Sequence, residues 1–251
     1  MTTGLATPRP PDEQIAANVA RVRAEIAAAC AWSGRHPDAI TLVGVTKSAD
    51  RRAVDALVAA GVHDLGENRV QDALVKFGLR GDTSPPLRSD VRLHMIGNLQ
   101  TNKARDVVRH FAVVHSLNRI ALAEALQEAA AQEGKIISVL IEVNLSGENA
   151  KQGATQGDVT HILEHVRDHC ANLSADGLMT IAPNNADEAT VRTTFRVLRE
   201  LRDRMRDSFP DSALPVLSMG MSNDFPTAVE EGATHVRVGR ALFVGADDSV
   251  R

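Results

Sequence analysis

Eight short apolar runs, each followed by a helical pattern, constrain this chain more than any other feature. The runs lie at 40–46 (ITLVGVT), 62–66 (VHDLG), 92–96 (RLHMI), 112–116 (AVVHS), 138–144 (SVLIEVN), 175–180 (ADGLMT), 215–219 (PVLSM) and 235–239 (HVRVG). Helical spacing fills about 50–60, 67–77, 100–110, 118–133, 156–170, 187–207 and 224–231. Strands that alternate with helices imply βαβ units and a parallel sheet. Eight units favour closure into a single (β/α)8 TIM barrel over an open doubly wound sheet, and 251 residues suits such a barrel.

Residues 1–11, with Pro8, Pro10 and Pro11, read as a flexible tail, and 12–251 as one barrel domain. An extra helix is expected over 12–33, where Ile15, Val19, Val22 and Ile26 share a face. Asp12 is placed to cap this helix and Gly34 to end it. After the eighth strand only an apolar stub remains, Ala241 to Val244, so the last helix is truncated. The N-terminal helix is expected to cover that gap. Residues 78–91 read as a mobile polar insertion, whose Arg80-Gly81-Asp82 carries no weight as an adhesion motif.

The formal charge of −4 gives no field that attracts nucleic acid or anionic membrane. Aromatic residues make up 3%, too few for a base-stacking surface. No apolar signal core or membrane-length run is present, which makes a cytoplasmic location the expectation, and nothing outside the barrel suggests an oligomerisation domain, so a monomer is expected. Cys30 and Cys170 fall in helical stretches without metal-ligand spacing and read as reduced, buried thiols. His161, His165 and His169 share a helix face but lie mid-helix, away from any strand end, so no metal is expected. The chain contains no tyrosine, which excludes any mechanism that needs a phenol as acid or base.

Functional groups of such barrels collect where strands end and βα loops begin. Val43, Val45 and Lys47 alternate onto one face of the first strand, carrying the lysine to the barrel mouth. A lysine after an apolar strand is expected to be partly desolvated, freeing its amine to attack a carbonyl. Across the mouth, Leu217-Ser218-Met219-Gly220-Met221-Ser222 follows strand seven, and Asn223-Asp224 opens a helix. Strand eight ends in Arg237-Val238-Gly239-Arg240. Loops after strands seven and eight are the recurrent phosphate site of this fold. Alternation leaves His235, Arg237 and Gly239 facing inward, and a buried arginine needs a partner. A phosphate, a carboxylate such as Glu142, or a ring nitrogen of a bound heterocycle would each serve. Gly66-Glu67-Asn68-Arg69 and His94 with Gly97-Asn98-Leu99-Gln100 are the remaining polar strand ends. Lys151, on the loop after strand five, reads as a solvated loop lysine with a second amine at the mouth as the alternative.

Taken in order, Val45-Thr46-Lys47, Gly66-Glu67-Asn68, His94 through Lys103, Gly177-Leu178-Met179, Leu217 through Ser222 and Val236-Arg237-Val238-Gly239 form a specific set. The chain resembles the pyridoxal phosphate homeostasis protein family over about 15–245. The resemblance implies a fold-type III barrel like the N-terminal domain of alanine racemase. It implies pyridoxal 5′-phosphate (PLP) held as a Schiff base on Lys47, with Asn68 and His94 among the binding residues. The phosphate would be held by the loops carrying Ser218, Met219, Ser222, Gly239 and Arg240, and Arg237 would face the pyridine nitrogen. Such proteins bind, store and deliver PLP to apo-enzymes, without robust turnover. Arg69 and Arg240 depart from the family, which often has a tyrosine and a small hydroxyl residue there. One rival reading is a racemase or lyase using Lys47 as a single base. The other is a barrel for a different phosphorylated metabolite, with Lys47 acting as an aldolase-type lysine.

Overall fold

Every apolar run forms a strand: β1 (Thr41–Val45), β2 (Asp64–Glu67), β3 (Arg92–Met95), β4 (Val113–Leu117), β5 (Ile137–Glu142), β6 (Leu173–Met179), β7 (Val216–Ser218) and β8 (His235–Val238). The computed structural model describes residues 11–81, 87–145 and 152–245. Lys151, tail residues 1–10 and loop residues 82–86 lie outside the described residues. Each strand pairs in parallel with the next, and β8 returns to β1 in register Thr41↔His235, which closes an eight-stranded barrel. Between the strands run α2 (Arg51–Ala59), α3 (Val70–Lys76), α4 (Ala104–His110), α5 (Ile120–Gln132), α6 (Gln156–His169), α7 (Glu188–Ser208) and α8 (Phe225–Glu230). Outward-facing Leu65, Leu93, Val236 and Val238 are buried in the core between sheet and helices. This is the TIM barrel that the alternation predicts.

The extra helix α1 (Asp12–Trp32) precedes the barrel, and the last helix α9 (Arg240–Phe243) is a single turn. Burial of Ile15, Val19, Val22 and Ile26 seats α1 against α2, α8 and α9. Asn18 Nδ2 donates to the carbonyls of Leu242 (3.2 Å) and Val244 (3.0 Å), and Arg21 donates to that of Ala241 (2.9 Å). The N-terminal helix therefore occupies the ground that a full-length α9 would cover. One detail of the sequence reading needs correction. Asp12 is the first helical residue and makes no capping bond, because Pro11 holds the cap position in extended conformation. Its charge instead sits in the first turn, where a helix favours anions. Gly34, at φ +67, ends the helix as expected.

At Gly177 the register between β6 and β7 leaves room only for glycine. A Cβ at Gly177 would lie 1.9 Å from the Val216 carbonyl oxygen on β7. Gly177→Ala is therefore expected to lower stability by about 3 kcal/mol, measured by denaturant unfolding.

Candidate functional site

Lys47 stands two residues beyond β1, in the turn at the C-terminal mouth of the barrel. It is exposed, not desolvated by the strand as the sequence reading expects. Among the described residues no acceptor or carboxylate meets its side chain. The backbone just before it is fixed from behind. Thr46 is fully buried, and its hydroxyl donates to Glu67 Oε1 at 2.6 Å. Lys76, on α3, donates to the same oxygen at 2.8 Å and to the Thr46 carbonyl at 2.6 Å. This pair, buried Glu67 and partly buried Lys76, clamps the turn from which Lys47 projects. Sequence reading missed Thr46, Glu67 and Lys76 as a unit. The available signal was Glu67 itself, a carboxylate on the outward parity of β2 that needs a cationic partner. Lys76→Met should lower stability by about 2 kcal/mol, because Glu67 stays buried with one donor fewer. Hydrogen exchange at Thr46–Ser48 should rise in the same variant; unchanged exchange there would refute the clamp.

Across the mouth, a single hydroxyl joins the loops after β7 and β8. Ser222 Oγ accepts from the backbone N–H groups of Gly239 and Ala241, both at 3.3 Å. Gly220, at φ +91, lets the first loop turn back, and its carbonyl accepts from the Arg237 N–H at 2.9 Å. The Met221 N–H is given to Asp224 Oδ1. Among the described residues no acceptor meets the backbone N–H of Ser222, Asn223 or Arg240. These three donors share the rim and suit an anion with several oxygens. The Arg240 side chain donates to Asn223 Oδ1, so its charge stays beside this rim. Met219 is different: its side chain is buried in the core and its N–H goes to the His235 carbonyl. Asn68 is half-buried at the end of β2, packed so closely on the β3 loop that a Cβ at Gly97 would lie 2.3 Å from its carbonyl oxygen.

Below the rim, Arg237 points into the barrel, as strand alternation predicts. Its guanidinium donates to Ser218 Oγ at 2.6 Å and to the Thr180 carbonyl at 2.9 Å, both neutral acceptors. Burial lowers its pKa to about 10, against the pull of Asp224 and Glu142. It remains a cation at neutral pH, with N–H groups left to give. Glu142 Oε2 is also buried in the barrel without a hydrogen-bond partner among the described residues. Burial raises the Glu142 carboxyl, with Arg237 and an Asn118 hydrogen bond pulling the other way.

Ser218 is fully buried beneath the mouth, where its oxygen serves Arg237 and approaches His115 Nδ1 at 2.9 Å. His94 lies deeper still. Its ring meets His115 Nε2 at 2.9 Å and Asp64 Oδ1 at 2.8 Å, and it lines a cavity of about 390 Å³ at the N-terminal strand ends. Arg92, Ser138, Asp176 and His235 line the same cavity. His94 therefore reaches the mouth only through His115 and Ser218. The helical histidines stay apart from both ends: the His165 and His169 rings lie 5.0 Å apart on α6, tilted at 52°, and His161 pairs with Glu164.

Residues 13–247 match the family described as alanine racemase, N-terminal domain. Pyridoxal phosphate homeostasis protein of Aquifex aeolicus is 39% identical over 225 residues, covering 90% of this chain and 95% of that protein. The protein of the same name in Pseudomonas aeruginosa is 39% identical over 234 residues, covering 93% and 96%. PipY of Synechococcus elongatus PCC7942, solved with PLP bound, superposes with a TM-score of 0.79 at 34% identity, over 92% of this chain and 100% of PipY. The chain belongs to the pyridoxal phosphate homeostasis protein family, built on the alanine racemase N-terminal domain fold.

Proposed function

We propose that this chain binds PLP at the C-terminal mouth, covalently through Lys47, and stores and delivers it without robust turnover of its own. One observation carries the reading. A lysine amine without a partner faces a rim of three unused backbone N–H groups, over a buried arginine with donors to spare. When bound, PLP supplies an aldehyde, a phosphate dianion and a pyridine nitrogen. Lys47 would hold the aldehyde end through its amine, in an imine link formed with loss of water and reversed by hydrolysis. Ser222, Asn223 and Arg240 hold the phosphate through their backbone N–H groups, with the Arg240 guanidinium beside them. Arg237 would donate toward the ring nitrogen, and its charge at neutral pH would disfavour protonation of that nitrogen. Asn68 contributes from the rim on the β2 side.

Storage fits these residues better than catalysis. A ring held unprotonated is a weak electron sink, and with no tyrosine in the chain no phenol stands opposite Lys47 as a second base. The name of the Aquifex and Pseudomonas relatives supports a homeostatic role, and the PLP bound to PipY supports the ligand. The proposal includes a cytoplasmic monomer that hands PLP to apo-enzymes in transient contact. Among the described residues no helix is long and apolar enough to cross a membrane.

Borohydride reduction of the PLP-loaded protein, followed by peptide mapping, tests the reading. The adduct is expected on the peptide carrying Lys47, and Lys47→Ala should yield none there and lose the visible absorption band. An adduct on another lysine, or none in the parent protein, would overturn it.

A further inference from the structure

A file of polar side chains crosses the barrel from one mouth toward the other. From the N-terminal end, Asp64 Oδ1 lies 2.8 Å from His94 Nε2 and His94 Nδ1 lies 2.9 Å from His115 Nε2. His115 Nδ1 lies 2.9 Å from Ser218 Oγ, which accepts from Arg237 Nη1 at 2.6 Å. His94, His115, Ser218 and Arg237 are all nine-tenths or more buried, so solvent satisfies none of these links.

The two ends set the direction of the protons. A guanidinium can only donate, and an ionised carboxylate can only accept. Burial works against the charge of Asp64, yet bonds from His94 and Arg92 outweigh it and hold its carboxyl below the usual range. Burial also keeps His115 neutral, with its pKa well below the ordinary histidine value, reinforced by His94, Arg237 and His235. Ser218 accepts from Arg237, so its own proton goes to His115 Nδ1. His115 then carries its proton on Nε2 and gives it to His94 Nδ1, and His94 Nε2–H donates to Asp64. Every member between the ends donates once and accepts once. The reverse order would aim a His115 Nδ1–H at Ser218, leaving the hydroxyl proton without an acceptor among the described residues. Such an orphan is disfavoured in a buried site.

We propose that His94 and His115 are positioning residues for the cofactor ring. Acting through Ser218, they hold the Arg237 guanidinium in the orientation that presents its unused N–H groups to the pyridine nitrogen. The inference rests on the reading of the mouth as a PLP site, but its core, the proton order, exists without ligand. The other ionisable groups that face the two rings are Arg92, His235, whose ring lies 6.3 and 6.4 Å from theirs, Arg237, and Asp176 across the cavity.

Two measurements on the full chain separate the inference from the reading beneath it. Nitrogen-15 NMR of the ligand-free protein, with histidines assigned by single variants, should show His94 and His115 both protonated on Nε2 alone at neutral pH. A proton on Nδ1 of either ring overturns the proposal whether or not PLP binds. PLP titration then compares the parent chain with His115→Leu and His115→Gln. Glutamine retains one acceptor and one donor, whereas leucine retains neither. His115→Leu should weaken PLP binding about tenfold, the worth of one charge-assisted hydrogen bond, and shift the ring-nitrogen resonance of labelled PLP. His115→Gln should recover both to near the parent. Equal binding and an unshifted ring nitrogen in the leucine variant would overturn the relay. A parent chain that fails to bind PLP would instead sink the reading of the mouth.

Discussion

Deleting residues 1–33 is expected to unfold the barrel rather than trim it. The deletion removes α1, whose Ile15, Val19, Val22 and Ile26 are each no more than 4% exposed. Four buried aliphatic side chains at about 2 kcal/mol each contribute about 8 kcal/mol. That is the size of the whole stability of an ordinary domain, about 5–15 kcal/mol. The deletion also strips the Asn18 and Arg21 donors from the carbonyls of Ala241, Leu242 and Val244. The truncated chain should show no cooperative melting transition by circular dichroism. A melting curve like that of the full chain would mean that α1 is an ornament on a self-sufficient barrel.

Arg237→Leu should lower the stability of the ligand-free protein by about 4 kcal/mol at neutral pH, since it leaves buried carboxylates without their cation. The loss should depend on pH with a definite sign. Burial raises both Glu142 and Asp224 above the ordinary carboxylate range, and Arg237 pulls both back. Without the arginine both rise further. A carboxyl with a raised pKa binds its proton more tightly in the folded state than in the unfolded chain, where it titrates near about 4. Its contribution is then intact below that value and is lost as pH climbs toward the raised one. The gap in melting temperature between parent and variant should be smallest near pH 4 and widen upward. A gap that narrows with rising pH would show that these carboxylates do not depend on Arg237.

Period and punctuation made the barrel legible before any coordinate. Strand bounds shift by a residue or two, as from 62–66 to Asp64–Glu67 and from 235–239 to His235–Val238. Arg237 could be read as inward because its neighbours Val236 and Val238 are apolar and it is not. Contacts between distant strands were not legible. His94 and His115 are 21 residues apart, and only the β3–β4 register sets their rings at 2.9 Å. Read singly, each is a histidine in a strand. Read together with Asp64, Ser218 and His235, they show polar residues at inward positions on five strands, a pattern that an apolar barrel interior would not carry. The clamp behind Lys47 stayed hidden for another reason. Its members act on a backbone carbonyl, and no sequence pattern marks which carbonyl a lysine will find.

The meeting of α1 and β1 with β8 and α9 has a consequence for synthesis. β1 borders β8, and α1 rests on the residues that follow β8, so barrel elements made early require ones made much later as neighbours. Until those later elements are made, α1 has only α2 against its apolar stripe and β1 keeps one edge bare. Closure of the ring therefore waits until β8 and α9 have been made, and the nascent barrel is most prone to aggregate just before they emerge.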